Sequence, residues 1–273
     1  MTKGSHRIAT SRHSASGRVV RIGGDTASAS VGGLLGLILG PPGIVVGAAA
    51  AALLGDTIKS ALDKAASHRA ETVFTLARER IRAEMVSGRH LRADGFLDDS
   101  VSGRSAAADV LEQIMQAVQQ ESEERKLPFI ASLYASIAFR EDVDRGMANL
   151  LVRTAEQLSY RQLCLITVFM TRDANHLRTS DYIHVGDGGL EPTIDLFSPL
   201  GGVLEEAYDL FTRGLLAGTD GAMTLRLGSH LSQIYICPAK MKVQGTGSWL
   251  YDLMGLAKLP EEDLDPLVAL LSQ

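Results

Sequence analysis

Aromatic side chains are scarce, 5% of 273 residues, although 45% of the chain is hydrophobic. A core built from Leu, Ile, Val and Ala suits closely packed helices better than a β-sandwich, whose strands favour aromatic and β-branched residues. Cysteine is nearly absent too. Cys164 and Cys237 both lie in apolar surroundings, which reads as buried thiols in a reducing compartment. Two cysteines cannot make a disulfide framework, although they leave one bridge open.

The motifs of common chemistries are also missing. A phosphate-binding P-loop needs Gly-Lys-Ser/Thr so that its lysine reaches the phosphates, and no Gly-Lys pair occurs. Gly245-Thr246-Gly247 is followed by Ser248, Trp249 and Leu250, so it does not complete the dinucleotide fingerprint. There is no G-x-S-x-G, and Cys164 sits in an apolar run where a thiol stays protonated. His176, His184 and Asp187 come nearest to a ligand cluster, but on an expected loop they read as solvent-facing side chains. No catalytic residue, metal or cofactor is expected.

Charge is missing altogether from Thr26 to Gly55. Within this stretch small residues recur every fourth position: Gly32, Gly36 and Gly40, then Gly43, Gly47, Ala51 and Gly55. On a helix, positions i and i+4 share a face. A row of glycines there lets a second backbone approach closely, which favours helix pairing in lipid. Between the rows, Pro41 and Pro42 within Gly-Pro-Pro-Gly form a hinge, because proline ends a helix and glycine accepts the reversal.

Three readings of this segment stay open. It could be a membrane hairpin or kinked span, a helical hairpin inside the protein's own bundle, or an unstructured glycine-rich stretch. The helix before the hinge would be only about 21 Å long at ~1.5 Å per residue, short of a ~30 Å hydrocarbon core. A kinked span from Val31 to Leu54 would reach about 36 Å. The membrane reading is the one carried forward.

Residues 1–24 hold Lys3, Arg7, Arg12, Arg18 and Arg21 and no acid, whereas residues 25–273 hold 22 basic and 32 acidic groups. A basic arm before an apolar segment reads as a flexible tail, as the positive-inside flank of a membrane segment through Arg18 and Arg21, or as a targeting sequence. The late, proline-broken apolar part argues against a signal peptide.

The expected fold is mainly α: a helical bundle with an N-terminal Gly/Ala-rich hydrophobic hairpin and a small winged-helix-like α+β C-terminal unit. The organisation reads as a basic arm over 1–25, the hairpin over 26–55, the bundle over 56–171, a loop-rich linker over 172–202 and the winged-helix-like unit over 203–273. Apolar periodicity places helices over 56–86, from Ser105 to Glu124, over 129–139, 141–158 and 160–170, although the run 163–170 also fits a strand. Later come a helix over 203–216, strands over 223–227 and 233–243, and helices over 247–255 and 260–271. Residues 159–273 hold 8 Lys/Arg against 14 Asp/Glu, so nucleic acid is disfavoured as a partner even with Lys240 and Lys242 on the expected wing.

The segment Gly32 to Gly55 resembles the glycine-zipper hairpins of small bacterial membrane proteins. The order of elements is similar to that of the abortive-infection alpha group of bacterial proteins. It is carried here by Leu127 to Phe139, Glu156 to Leu163, Leu210 to Leu216 and Gly247-Ser248-Trp249-Leu250-Tyr251-Asp252-Leu253-Met254-Gly255-Leu256. The resemblance is architectural and implies a part in stopping bacteriophage propagation. The expectation is thus a non-enzymatic protein at the bacterial inner membrane or its cytoplasmic face. Its partners would be the lipid bilayer and further copies meeting through the glycine faces. The alternative is a cytoplasmic adaptor whose C-terminal end binds another protein.

Overall fold

The structure is a computed structural model, and it describes residues 66–98, 105–171, 173–177, 183–185, 198–218, 223–227 and 232–272. The glycine-faced segment and its flanks lie outside the described residues: Gly32, Gly36, Gly40, Gly43, Gly47, Ala51 and Gly55, the hinge Pro41 and Pro42, and the basic Arg18 and Arg21.

What is described is mainly helical, with short antiparallel strands. Helix α1 spans Ala66–Val86, α2 Ala106–Gln120, α3 Leu127–Ile137, α4 Arg145–Gln157 and α5 Tyr160–Met170. Strand β1 (Ile183–Val185) precedes α6 (Pro199–Thr212). Then come β2 (Leu216–Gly218), β3 (Met223–Leu227), β4 (Ser232–Ile236), β5 (Met241–Val243), α7 (Thr246–Met254) and α8 (Glu261–Ser272).

The helix starts follow from local chemistry. Ser105, Asp144 and Ser198 each accept a hydrogen bond from the backbone N–H three residues on, occupying a donor that the first turn leaves open. Ser159 and Gln162 form a reciprocal capping box at the head of α5. Helix α7 ends at Gly255, whose φ of 68° is the left-handed conformation glycine adopts without strain.

Several boundaries differ from those read from periodicity. Helix α2 stops at Gln120 rather than Glu124, because Glu121 turns extended and its carboxylate accepts the Glu123 N–H at 2.9 Å. The stretch 163–170 is helical, with Leu163, Cys164, Leu165, Ile166, Thr167, Val168 and Phe169 all buried. Buried on every side, it carries no amphipathic signature to separate helix from strand. Pro199 and Gly201-Gly202 open α6 instead of ending a loop, since proline fits the first helical turn. The strand expected over 233–243 is two strands, interrupted by a 3₁₀ turn at Pro238–Lys240. Proline has no N–H to give a ladder.

Across that interruption the pairing keeps one register. Leu216 faces Val243 and Gly218 faces Met241, then Met223 faces Ile236 and Leu227 faces Ser232. The two ladders thus share one antiparallel register. Strand β1 adds to the other side of β4, giving the order β1-β4-β3.

One continuous hydrophobic cluster runs from Ala70 to Leu271. Helices α3 and α5 form its centre. Helix α1 packs on α3 and α2 through Ala70, Val73, Ala77 and Ile81. Helix α7 packs on α3, and α8 on α5, so the chain's last helices close over the bundle. Alanines at the α1–α3 contact, such as Ala70, Ala77, Ala131 and Ala135, allow close approach of the two helices. The segment 91–98 is firmly held despite its loop-like composition. Buried Arg92 donates to the Val143 carbonyl at 2.8 Å and from Nε to Asp94 at 2.8 Å, and it stacks on Phe96.

Candidate functional site

A cleft opens where α2 ends, α3 begins, α4 ends and α5 begins. It has a volume near 490 Å³, with Gln120, Glu121, Glu123, Lys126, Gln157 and Ser159 among its lining residues. At its floor Lys126 is 1% exposed, which is costly for an ammonium unless paired. Its Nζ pairs with the Glu121 carboxylate and donates to the Glu156 carbonyl at 3.2 Å. Its aliphatic stem fills space that a leucine would otherwise take.

The remaining groups around this cleft hold helices together. The Tyr160 N–H donates to Glu123 Oε2 at 2.8 Å, so Glu123 neutralises the open end of α5. The Tyr160 hydroxyl donates to Asp263 of α8 at 2.8 Å, and Arg125 lies 4.7 Å from the Tyr160 ring centre. Burial raises the Tyr160 pKa, and the hydrogen bond to Asp263 raises it further. Beneath it, burial pushes the Cys164 thiol up to about 12, so it is a thiol at neutral pH and a poor nucleophile. Arg161 bonds Glu206 and Gln162 bonds Asp209, tying α5 to α6. These carboxylates are engaged in tying elements together, and no base–nucleophile pair is set up among the groups named here.

A second groove lies between α1 and α3, lined by Leu76, Glu79, Arg80, Ala83, Pro128, Ala131 and Ser132. Arg80 crosses one side of it to donate to Ser132 Oγ at 2.9 Å.

The residues singled out by sequence do not gather at either place. Cys164 and Cys237 are buried and free of disulfide bonds. His176 is exposed, at a positive φ of 47°, and His184 sits in β1 opposite Tyr235. Asp187 lies outside the described residues. Among the described residues no group of three His, Cys, Asp or Glu could hold a metal ion. Lys242 is exposed on β5 and Lys240 is half-buried in the turn before it. Among the described residues no helix is long and apolar enough to cross a membrane.

Sequence reading missed Lys126 and Arg92. Both looked like ordinary charges in polar stretches. The only hint for Lys126 was its place directly before the apolar run Leu127-Pro128-Phe129-Ile130.

The described residues define a mainly helical protein closed by a short-stranded hairpin unit. No family model, no curated protein and no solved structure matches the chain.

Proposed function

We propose that this is a non-enzymatic, membrane-associated bacterial protein. Its glycine-faced segment inserts into the bilayer, self-associates there or perturbs it, and the helical body serves as the scaffold that carries it. The observation behind this reading is the sequence of the run Thr26–Gly55: thirty uncharged residues, with Pro41-Pro42 near the middle and small residues at every fourth position on both sides. Soon after it begins α1, a helix anchored in the bundle by four buried side chains. Force or position transmitted through the segment would therefore act on a packed element. A role in halting phage propagation is the biological setting implied by the resemblance to the abortive-infection alpha group.

Membrane fractionation after expression, with and without detergent, is the first test. Recovery wholly in the soluble fraction counts against the proposal. The sharper test replaces Gly36 and Gly47 by leucine. Loss of oligomers or of liposome leakage with unchanged helicity supports a packing face, and unchanged behaviour refutes one.

The second reading is a soluble adaptor with a winged-helix-like end. It is favoured by the strand order β1-β4-β3 and by the antiparallel ladders that lie between α6 and α7 in the chain. The acidic balance of residues 159–273 directs that end toward protein rather than DNA. A pull-down that depends on Lys242, from a fraction lacking membranes, would favour this reading over the first.

A further inference from the structure

The charge of this chain is divided along its length. Residues 1–92 hold 13 basic and 6 acidic groups, and residues 93–273 hold 14 and 26. The fold turns the end of that basic part into a surface. Ala70, Val73, Ala77 and Ile81 bury one side of α1. With about 100° between successive residues, Arg78, Arg82, Met85 and Val86, with the one acid Glu79 beside them, fall on one exposed or half-buried side near its end. Val86 is 89% exposed and Met85 37%, two of only four large apolar side chains exposed among the described residues. Directly after them, Gly88 turns the chain at a φ of 91°, and Arg89 and His90 stand in solvent. Arg89 is braced there by Glu84 at 3.1 Å and by the Phe139 ring. An apolar tip in a basic rim, on a body otherwise acidic, is the composition of a surface that rests on anionic lipid headgroups.

We propose that the end of α1 is a second membrane contact, at which Met85 and Val86 dip among anionic headgroups and Arg78, Arg82 and Arg89 bind their phosphates. The proposal rests on the membrane reading of residues 26–55 and adds an orientation to it. Helix α1, about 30 Å long at ~1.5 Å per residue, would lie along the bilayer. One end would be held by the inserted segment and the other by this tip, while the acidic remainder of the body is turned away.

The test uses the full chain with Val86→Cys carrying an environment-sensitive thiol dye; native Cys164 and Cys237 are buried. Vesicles of phosphatidylcholine with a third phosphatidylglycerol are compared with pure phosphatidylcholine. The expected result is a blue shift of the dye only on the anionic vesicles, reversed at about 1 M salt, where the Debye length falls to ~3 Å. Arg82→Gln should weaken anionic-vesicle binding roughly fivefold, the value of one basic residue near such a surface. A dye spectrum unchanged while the protein sediments with vesicles overturns the tip contact and leaves the inserted segment standing. A shift of equal size on neutral vesicles overturns the role of the arginines. Absence of sedimentation with either vesicle overturns both readings.

Discussion

Replacing Lys126 by methionine should destabilise the body strongly, and the structure gives the scale. Methionine keeps most of the stem's volume, so the loss is electrostatic rather than a cavity. Glu121, 9% exposed, would keep its carboxylate with the Glu123 N–H but lose the ammonium beside it. Removing one partner of a buried pair costs about 3–5 kcal/mol, because the other charge stays buried without compensation. The lost bond to the Glu156 carbonyl, worth about 1 kcal/mol, is contained within that figure. For a body of this size the melting temperature should fall by roughly 6–20 °C. Urea unfolding followed by circular dichroism measures the change, with linear extrapolation to water.

The double variant Lys126→Met/Glu121→Gln separates charge from shape. The glutamine oxygen can still accept the Glu123 N–H, and no charge remains. Its stability should return to within about 2 kcal/mol of the parent, since a buried pair contributes little net stability over a neutral replacement. A single variant within about 1 kcal/mol of the parent, or a double variant as unstable as the single, would refute the argument.

Gly247→Ala should lose about 1–3 kcal/mol through overpacking, because the new Cβ would stand 2.5 Å from the Leu215 carbonyl oxygen and 3.0 Å from Val243 Cγ1; thermal unfolding measures it. The Arg92 guanidinium holds the Asp94 carboxyl below the usual carboxylate range, chiefly by its hydrogen bonds. A lowered folded pKa stabilises above the unfolded value near ~4 and is lost as pH falls through the folded value. Asp94→Asn should therefore flatten the fall in melting temperature on acidification, and an unchanged slope would count against the pairing. A colorimetric thiol reagent should find neither cysteine in the native protein and both in guanidinium, since Cys164 and Cys237 are buried and Cys164 is held protonated.

Composition and periodicity determined a good deal by themselves. Few aromatics and abundant aliphatic residues meant a helical body, and of the helix expected over 56–86 the described part, Ala66–Val86, is helical as its single-faced apolar pattern indicated. Helix α5 was delimited correctly over Tyr160–Met170, where the apolar run Leu163–Met170 is interrupted only by Thr167. Local signals also sufficed for β3 and for α7, whose end at Gly255 is a backbone conformation only glycine favours. The uncharged glycine-rich segment is likewise a property of sequence alone, and the membrane proposal stands on it.

Tertiary structure decided what depends on residues far apart in the chain. Helix α2 ends early because Glu121 turns extended, its carboxylate held by the Glu123 N–H and by Lys126, and α6 begins early because Ser198 and Pro199 fit a first turn rather than a loop. The splitting of the last strand at Pro238 became visible only with its partner β2 in place. Lys126 and Arg92 read as solvated charges until packing enclosed them and supplied Glu121, Asp94 and backbone carbonyls. The side of α1 that ends in Met85 and Val86 became a surface only once α2 and α3 had covered the other side. Periodicity registers which side of a helix is apolar, but burial of a charge depends on the partner that meets it, and that partner is chosen by the fold.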